Sequence, residues 1–376
     1  MRPLYFDHNA TTPIAAEVLS AMLPYLCERF GNPASRHAWG LAAHEGLDAA
    51  RARTAALIRA EPDEIVFTAC ATESNKTVLF GLVRPGERLV TSAIEHPSIL
   101  EPAKEIARLG AEVEILPVDA DGLVDPGSLR AALRRPAALV SVMLANNETG
   151  AIQPVAELVR IARQAGALFH TDAAQAVGKI PVDAGALGVD FLTVAGHKLY
   201  APKGIGALYV RRGLRLPPLL FGGGQERGLR SGTENVALAV GLAAACSLAA
   251  RDLEAEMRRQ QALGRALLQG LAGLGREFCL HAEAAQKLPN TLAIGFRGLA
   301  AERIVEGLVL ADVGVSAGAA CHAGEAKISS VLKAMPCPRS SPWARSASPG
   351  AARPARTTCA SWSRGWKKCC AGCNPA

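Results

Sequence analysis

A-G-H-K-L-Y-A-P-K-G (195–204) sets one lysine, Lys198, directly after the apolar run F-L-T-V (191–194) and between Gly196 and Gly204. Alone, a lysine belongs to the solvated surface. Small residues around a lysine at the end of an apolar strand describe a second possibility, an amine that can be desolvated, lowered in pKa and brought against a carbonyl carbon. That is what a Schiff base requires. The choice between the two rests on what the flanking sequence supplies.

Outward from this stretch, short apolar runs alternate with helical segments. E-I-V-F-T (64–68), E-R-L-V-T-S (87–92), A-E-V-E-I-L-P-V (111–118), A-A-L-V-S-V-M-L (137–144), A-L-F-H-T-D (167–172), F-L-T-V and G-A-L-Y-V (206–210) read as strands. Between them, V-A-E-L-V-R-I-A-R-Q-A-G (155–166) has helical spacing and ends at glycine. The alternation predicts an α/β domain with a mostly parallel seven-stranded sheet between helices, in which ligands gather at the carboxyl ends of strands. Segment 236–274 reads as helices leading out of that domain, and L-P-N-T-L-A-I-G-F (288–296) as a strand in a smaller α+β unit. The expected division is an N-terminal segment 1–14 joining the small domain, a large domain 15–255, a small domain 256–335 and an aberrant tail 336–376.

With 376 residues, 49% hydrophobic and 20% charged, the chain can bury a large core. It has no uncharged apolar stretch of about 18 residues and no signal-like N-terminus, so the expectation is a cytoplasmic protein without a membrane segment. The net charge of +7 suggests nucleic acid until it is located. The stretch 336–376 holds seven basic residues and no acidic one, so the remainder is balanced at 34 of each sign and nucleic-acid binding is set aside. Five of the ten cysteines also fall there, and the other five lack paired spacing, which suits a reducing compartment.

A pyridoxal phosphate site needs a lysine, a carboxylate beside the pyridine nitrogen, a phosphate cradle and a flat partner for the ring. F-H-T-D-A-A-Q (169–175) ends a strand with Asp172, which alone also reads as a helix cap, and Gln175 follows three residues on. T-A-C-A-T-E-S-N (68–75) leaves a strand for a helix, with Ala71 and Thr72 placed for a phosphate. His96, in A-I-E-H-P-S (93–98), stands at another strand end, where a lone histidine can also be purely structural.

In this order the motifs resemble the fold-type I pyridoxal phosphate enzymes of the class-V aminotransferase family, and specifically the NifS/IscS-like cysteine desulfurases and the related selenocysteine lyases. The resemblance runs through Y-F-D-H-N-A-T-T-P (5–13), G-N-P-A-S-R-H (31–37), A-T-E-S-N (71–75), A-N-N-E-T-G (145–150), H-T-D-A-A-Q (170–175), G-H-K (196–198), R-S-G-T-E-N (230–235), L-P-N-T (288–291) and S-A-G-A-A-C (316–321). It implies that Lys198 carries the cofactor as a Schiff base, Asp172 partners the pyridine nitrogen, Gln175 bonds the phenolate oxygen and His96 stacks on the ring and moves protons. Ala71, Thr72 and His197 would hold the phosphate, Thr233 would reach over from the second subunit of a homodimer, and Asn147 would touch cofactor and substrate. Where the family often has a serine two residues before His197, this chain has Ala195.

The resemblance also gives Cys321 a role. In the family this thiol takes sulfur from bound L-cysteine as a persulfide, leaving alanine, and passes it to an acceptor such as an iron–sulfur scaffold or a tRNA-thiolating enzyme. The small residues around it, with Gly318 and Gly324, impose neither bulk nor φ restriction on a loop that must approach a buried substrate. A transaminase of the same fold needs no such thiol, which argues against that reading. Several motifs look equally like those of the lyases, so selenocysteine is the alternative substrate.

After V-L-K-A-M (331–335) the composition changes, and three of the four tryptophans lie beyond it without hydrophobic periodicity. Cys369, Cys370 and Cys373 lack a histidine partner and a second C-x-x-C for zinc. A disordered or misfolded tail is one expectation, and translation out of frame another: with G or C at third codon positions, a shift would turn G-W-K-K-C-C-A-G-C-N-P (365–375) into L-E-E-V-L-R-R-L-Q-P, an amphipathic final helix. It also restores a segment whose arginine, in the family, binds the substrate carboxylate. An inactive cofactor-binding scaffold is therefore a further expectation for the chain as written.

Overall fold

The computed structural model describes residues 3–318, 329–336 and 358–361. The chain opens with β1 (Leu4–Tyr5), α1 (Ala16–Cys27) and α2 (Ala38–Leu57). Then strands and helices alternate: β2 (Ile65–Thr68), α3 (Ala71–Leu82), β3 (Arg88–Ser92), α4 (Pro97–Arg108), β4 (Glu112–Leu116), α5 (Pro126–Ala132), β5 (Leu139–Ser141) and α6 (Val155–Gln164). The series continues with β6 (Leu168–Asp172), α7 (Ala184–Leu187), β7 (Phe191–Ala195) and β8 (Gly206–Val210). These seven strands form one sheet in the order β2-β8-β7-β6-β5-β3-β4, and β8 alone runs against its neighbours.

Helical period and burial agree on why the sheet is covered. α6 turns Val155, Leu158, Val159 and Ala162 inward, and the chain leaves it through Gly166 at φ 74°, a left-handed conformation that glycine adopts without strain. β2, β3, β5, β7 and β8 are buried along their whole length, as strands covered on both faces must be. All seven expected strands are present. The run 137–144 pairs only over β5, because the chain then leaves the ladder and carries Met143 and Ala145 to the wall of a cavity.

Segment 236–274 is one helix, α8 (Val236–Ala272), rather than several. No proline interrupts it, and an internal glycine costs about 1 kcal/mol without breaking the hydrogen-bond ladder. By length and composition α8 would suffice to cross a membrane, but its first half is a core element, with Val236, Ala239, Leu242, Ala243 and Cys246 buried and the helix packed on α1 and α2. Beyond it come β9 (Phe278–Leu280), β10 (Thr291–Phe296), α9 (Ala301–Leu310), β11 (Val313–Gly314) and α10 (Ser330–Ala334). β1 joins β11 in parallel, which ties the N-terminus to this smaller unit. Within the stretch 336–376, Thr358–Ser361 form β12, paired antiparallel to β10. Four residues of the segment set aside as aberrant therefore belong to the small sheet. Cys369, Cys370 and Cys373 lie outside the described residues.

Candidate active site

Five strand ends converge on one cavity. The chain leaving β2 supplies Cys70, Ala71 and Thr72; that leaving β3 supplies His96 and Ser98; β5 leads to Asn147; β6 ends at Asp172; and β7 leads to His197 and Lys198. The cavity measures about 290 Å³ and is also lined by Asp7, Asn9, Gln175, Ser316 and Gly318. Small-molecule sites begin at roughly 300 Å³. Ala71, Thr72, His96, Asn147, Asp172, Gln175, His197 and Lys198, picked from eight separate positions in the sequence, thus share one wall.

Lys198 sits in a tight turn that the N-terminal segment clasps. The backbone N–H and the hydroxyl of Thr12 both donate to the His197 carbonyl at 2.9 Å, and the Tyr200 N–H donates to the Thr12 hydroxyl at 2.9 Å. Tyr200 is held at φ 63°, a strained conformation for a bulky residue that persists because the clasp fixes it. The Lys198 amine donates to the carbonyl oxygens of Asn9 and, at 2.8 Å, Ala10. His197 bonds the Thr11 hydroxyl through Nδ1 at 3.2 Å. Burial, with the nearby lysines, lowers its pKa to about 4, so it meets a ligand as a neutral ring.

A buried hydrogen-bond chain connects Asp172 with His96. Asn75 Nδ2 donates to Asp172 Oδ2 at 2.7 Å and to the Ser98 hydroxyl at 2.8 Å, and the Ala174 N–H donates to Asp172 Oδ1. That hydroxyl lies 2.8 Å from His96 Nδ1, which also accepts the Ser98 N–H at 3.1 Å. Nδ1 is the acceptor, so the proton of the neutral ring resides on Nε2. Burial pulls the His96 pKa down and the Lys198 charge adds to this, while Asp172 opposes them. Beside this chain, Glu95 is buried, accepting from the Ser92 hydroxyl at 2.5 Å and the Met143 N–H at 3.0 Å through Oε1; burial and then the Asp172 charge push its pKa up to about 8.

The start of α3 is an anion site by construction. Its cap residue, Cys70, makes no side-chain cap, and Ala71 and Thr72 in the first turn line the cavity. The first-turn carboxylate is kept aside: Glu73 accepts the Ala69 N–H at 2.9 Å and pairs with Arg230 at 2.9 Å.

Two expected residues are not among these. Thr233 lines a separate cleft with Thr68, Ala69, Gly204 and Arg230. Cys321 lies outside the described residues; Gly318, three positions before it in the sequence, lines the cavity. Glu148, next to Asn147, accepts from the Ser329 hydroxyl on the far side of that segment. Asp7, Asn9, Asn75 and Ser98 all stand in the motifs quoted above, but nothing in the sequence gives them roles. Their function is to hold other residues, and a pairing such as that of Asn9 with Asn290 at 3.0 Å spans 281 positions that no local pattern connects.

Residues 4–338 match the family model of class-V aminotransferases. The cysteine desulfurase IscS of Dictyoglomus turgidum is 42% identical over 341 residues, which covers 90% of this chain and 86% of that protein. The cysteine desulfurase of Mus musculus is 42% identical over 342 residues, covering 89% and 74%. Among solved structures, a NifS-like protein superposes with a TM-score of 0.84 at 34% identity over 96% of this chain and 93% of its own, and a structure of SspA in complex with cysteine gives 0.81 at 31% over 95% and 98%. The chain belongs to the class-V aminotransferase family, whose fold-type I architecture the sheet and cavity display.

Proposed function

We propose that this chain is a pyridoxal phosphate-dependent cysteine desulfurase, converting L-cysteine to L-alanine and taking the sulfur on Cys321 as a persulfide. The observation that carries this reading is the convergence of Lys198, Asp172 and His96 on a cavity whose wall includes Gly318, three residues from that thiol. The relatives named above support the same activity.

The residues present fit the cofactor. The open N-terminus of α3 suits a phosphate, the Asp172 carboxylate a pyridinium N–H, and the Lys198 amine an aldehyde carbon. The cofactor supplies an electron sink for the charge left at a substrate's α-carbon. Lys198 and His96 are the groups of this chain that would move protons, and burial keeps the His96 ring neutral with its proton on Nε2, where it can be donated. Asn75, with two buried N–H donations, holds Asp172 and Ser98 in register, so that carboxylate and imidazole answer to one another. Asn147 faces the same cavity and serves cofactor and substrate, while Ala195 offers no hydroxyl where relatives often carry serine.

A homodimer completes the reading. Thr233 does not line the cavity of its own chain and suits that of a partner, and exposed apolar residues such as Leu23, Phe30, Trp39 and Phe221 are open to contact with a second copy. The sulfur acceptor is a separate protein, an iron–sulfur scaffold or a tRNA-thiolating enzyme. The test is alanine release by the cofactor-loaded chain with L-cysteine and L-selenocysteine side by side, alongside Cys321→Ser. Release from cysteine that falls with Cys321→Ser is expected. Release from selenocysteine alone would make the chain a lyase, and full turnover by Cys321→Ser would overturn the persulfide route.

A further inference from the structure

Lys179 lies behind the wall of the cavity, four residues past Gln175 and one past Gly178. Its ammonium donates to Gln175 Oε1 at 2.6 Å and to Asn9 Oδ1 at 3.5 Å. An ammonium has donors and no acceptor, so it selects the oxygen of a nearly symmetric amide and turns the nitrogen the other way. The Gln175 Nε2 accordingly donates one N–H to the Asn9 carbonyl at 3.0 Å. A primary amide carries two, and Gln175, 5% exposed, is among the residues that line the cavity.

The same Asn9 carbonyl accepts from the Lys198 amine, and Asn9 is held by the Asn290 amide on Oδ1 and by donating Nδ2 to the Asn147 carbonyl at 3.0 Å. Lys179 therefore fixes the direction of the Gln175 amide, while its longer contact with Asn9 adds to a residue that Asn290 and Asn147 already hold. Its charged bond to Oε1 also draws electron density from the amide and strengthens the remaining N–H as a donor. The charged and titratable groups around it are Lys198, His197 and His8, with Glu256 of α8 across a small chamber behind Lys198.

We propose that Lys179 is a positioning residue that locks the Gln175 amide with its N–H side toward the cavity, so that an anionic oxygen of the ligand meets a polarised donor and never the amide carbonyl. The inference rests on the proposed cofactor site, in which Gln175 faces the phenolate oxygen. Removing Lys179 leaves a buried carbonyl unpartnered and lets the amide turn over, which puts oxygen against oxygen at the ligand.

The experiment is visible absorbance of the cofactor-loaded full chain at one fixed pH, reading the ratio of the two bands of bound pyridoxal phosphate together with cofactor content. Lys179→Met is expected to change the ratio about threefold, the equivalent of half a pKa unit at the chromophore. Lys179→Arg, which keeps a charged donor, should return it most of the way, and in a Gln175→Ala background Lys179→Met should add nothing. An unchanged ratio in Lys179→Met beside a shifted one in Gln175→Ala overturns the role of Lys179, as does lost cofactor content with an unchanged ratio, which marks a merely structural lysine. An unchanged ratio in Gln175→Ala itself overturns the placement of Gln175, and the inference falls with it. Should Lys179→Met not fold, Lys179→Gln carries the same test with a neutral donor, and it must move the ratio in the same direction by less.

Discussion

The large domain and the small one are built from the same kinds of residue, yet they are finished to different degrees. In the large domain five strands are buried from end to end, and even its polar groups, Asp172, Asn75, Thr171 and His170, are enclosed. In the small domain β9 is only half-buried, and α9 buries only Ala301 while Val309 and Leu310 stand 60% and 89% exposed. The difference teaches where the written chain suffices. The cavity is assembled chiefly from strand ends of the large domain, with Ser316 and Gly318 added from the small one, whereas α9 of the small domain leaves an apolar face open. The family match ends at residue 338, three positions past the change of composition.

The comparison is sharpened most by removing the amine on which the cradle is centred. Lys198→Ala should lower alanine release by at least the roughly 10²–10⁴-fold that a positioned acid–base group contributes. Thermal unfolding of the large domain should persist, because the buried strands on either side of Lys198, β7 and β8, keep their packing without the amine. Next in size is the tail. Restoring the reading frame after Met335 returns the carboxylate-binding arginine implied by the family, and a bidentate pair worth about 2–3 kcal/mol corresponds to roughly 30–150-fold in kcat/KM for L-cysteine. Steady-state kinetics of the two chains measure it; equal values would show that the small domain works as written and would end the contrast.

How much was legible follows the same division. Seven strands were readable because hydrophobic runs mark strands, and Ala71, Thr72, His96, Asp172, Gln175 and Lys198 because polar clusters mark strand ends, both local signals, while Asn147 and His197 came from the family resemblance. What escaped was the support. Asn75, Ser98 and Asn9 are ordinary polar residues until the fold brings them to Asp172, His96 and Gln175, and the Lys179 contact with Gln175 has the i, i+4 spacing of a helix without a helix there. β12 was missed because T-C-A-S carries no alternation and gains its place from the free edge of β10.

Glu95 offers a smaller test of how complete the large domain is. Its carboxyl is raised in the folded chain from the ordinary 4.5 to about 8, chiefly by burial. Between those values the folded state holds a proton that the unfolded state has released, so stability falls as pH rises, by at most about 1.4 kcal/mol per unit. Above about 8 both states are ionised, and the whole benefit of the neutral form is gone. Glu95→Gln keeps an acceptor for Ser92 and the Met143 N–H while removing the titration. Unfolding midpoints measured from pH 5 to 9 should lose that slope in the variant. A slope that survives would assign it to other groups.

The smallest expected effect decides the other side of the contrast. Leu310, at the end of α9, is 89% exposed, so Leu310→Ser in the chain as written should change stability by no more than about 0.5 kcal/mol. With the frame restored, the final helix has an apolar face of its own, and α9 carries Ile304, Val305 and Leu308 half-buried beside Leu310 as the nearest apolar surface left open. If the helix lies there, Leu310 loses most of its solvent contact, and the same substitution costs about 1 kcal/mol or more, since full burial of a leucine is worth roughly 1.5–3 kcal/mol. Denaturant unfolding of the four proteins, two frames with and without Leu310→Ser, gives the difference as a double-mutant cycle. A coupling near zero would place the final helix elsewhere and leave the open face of α9 as a property of the finished domain.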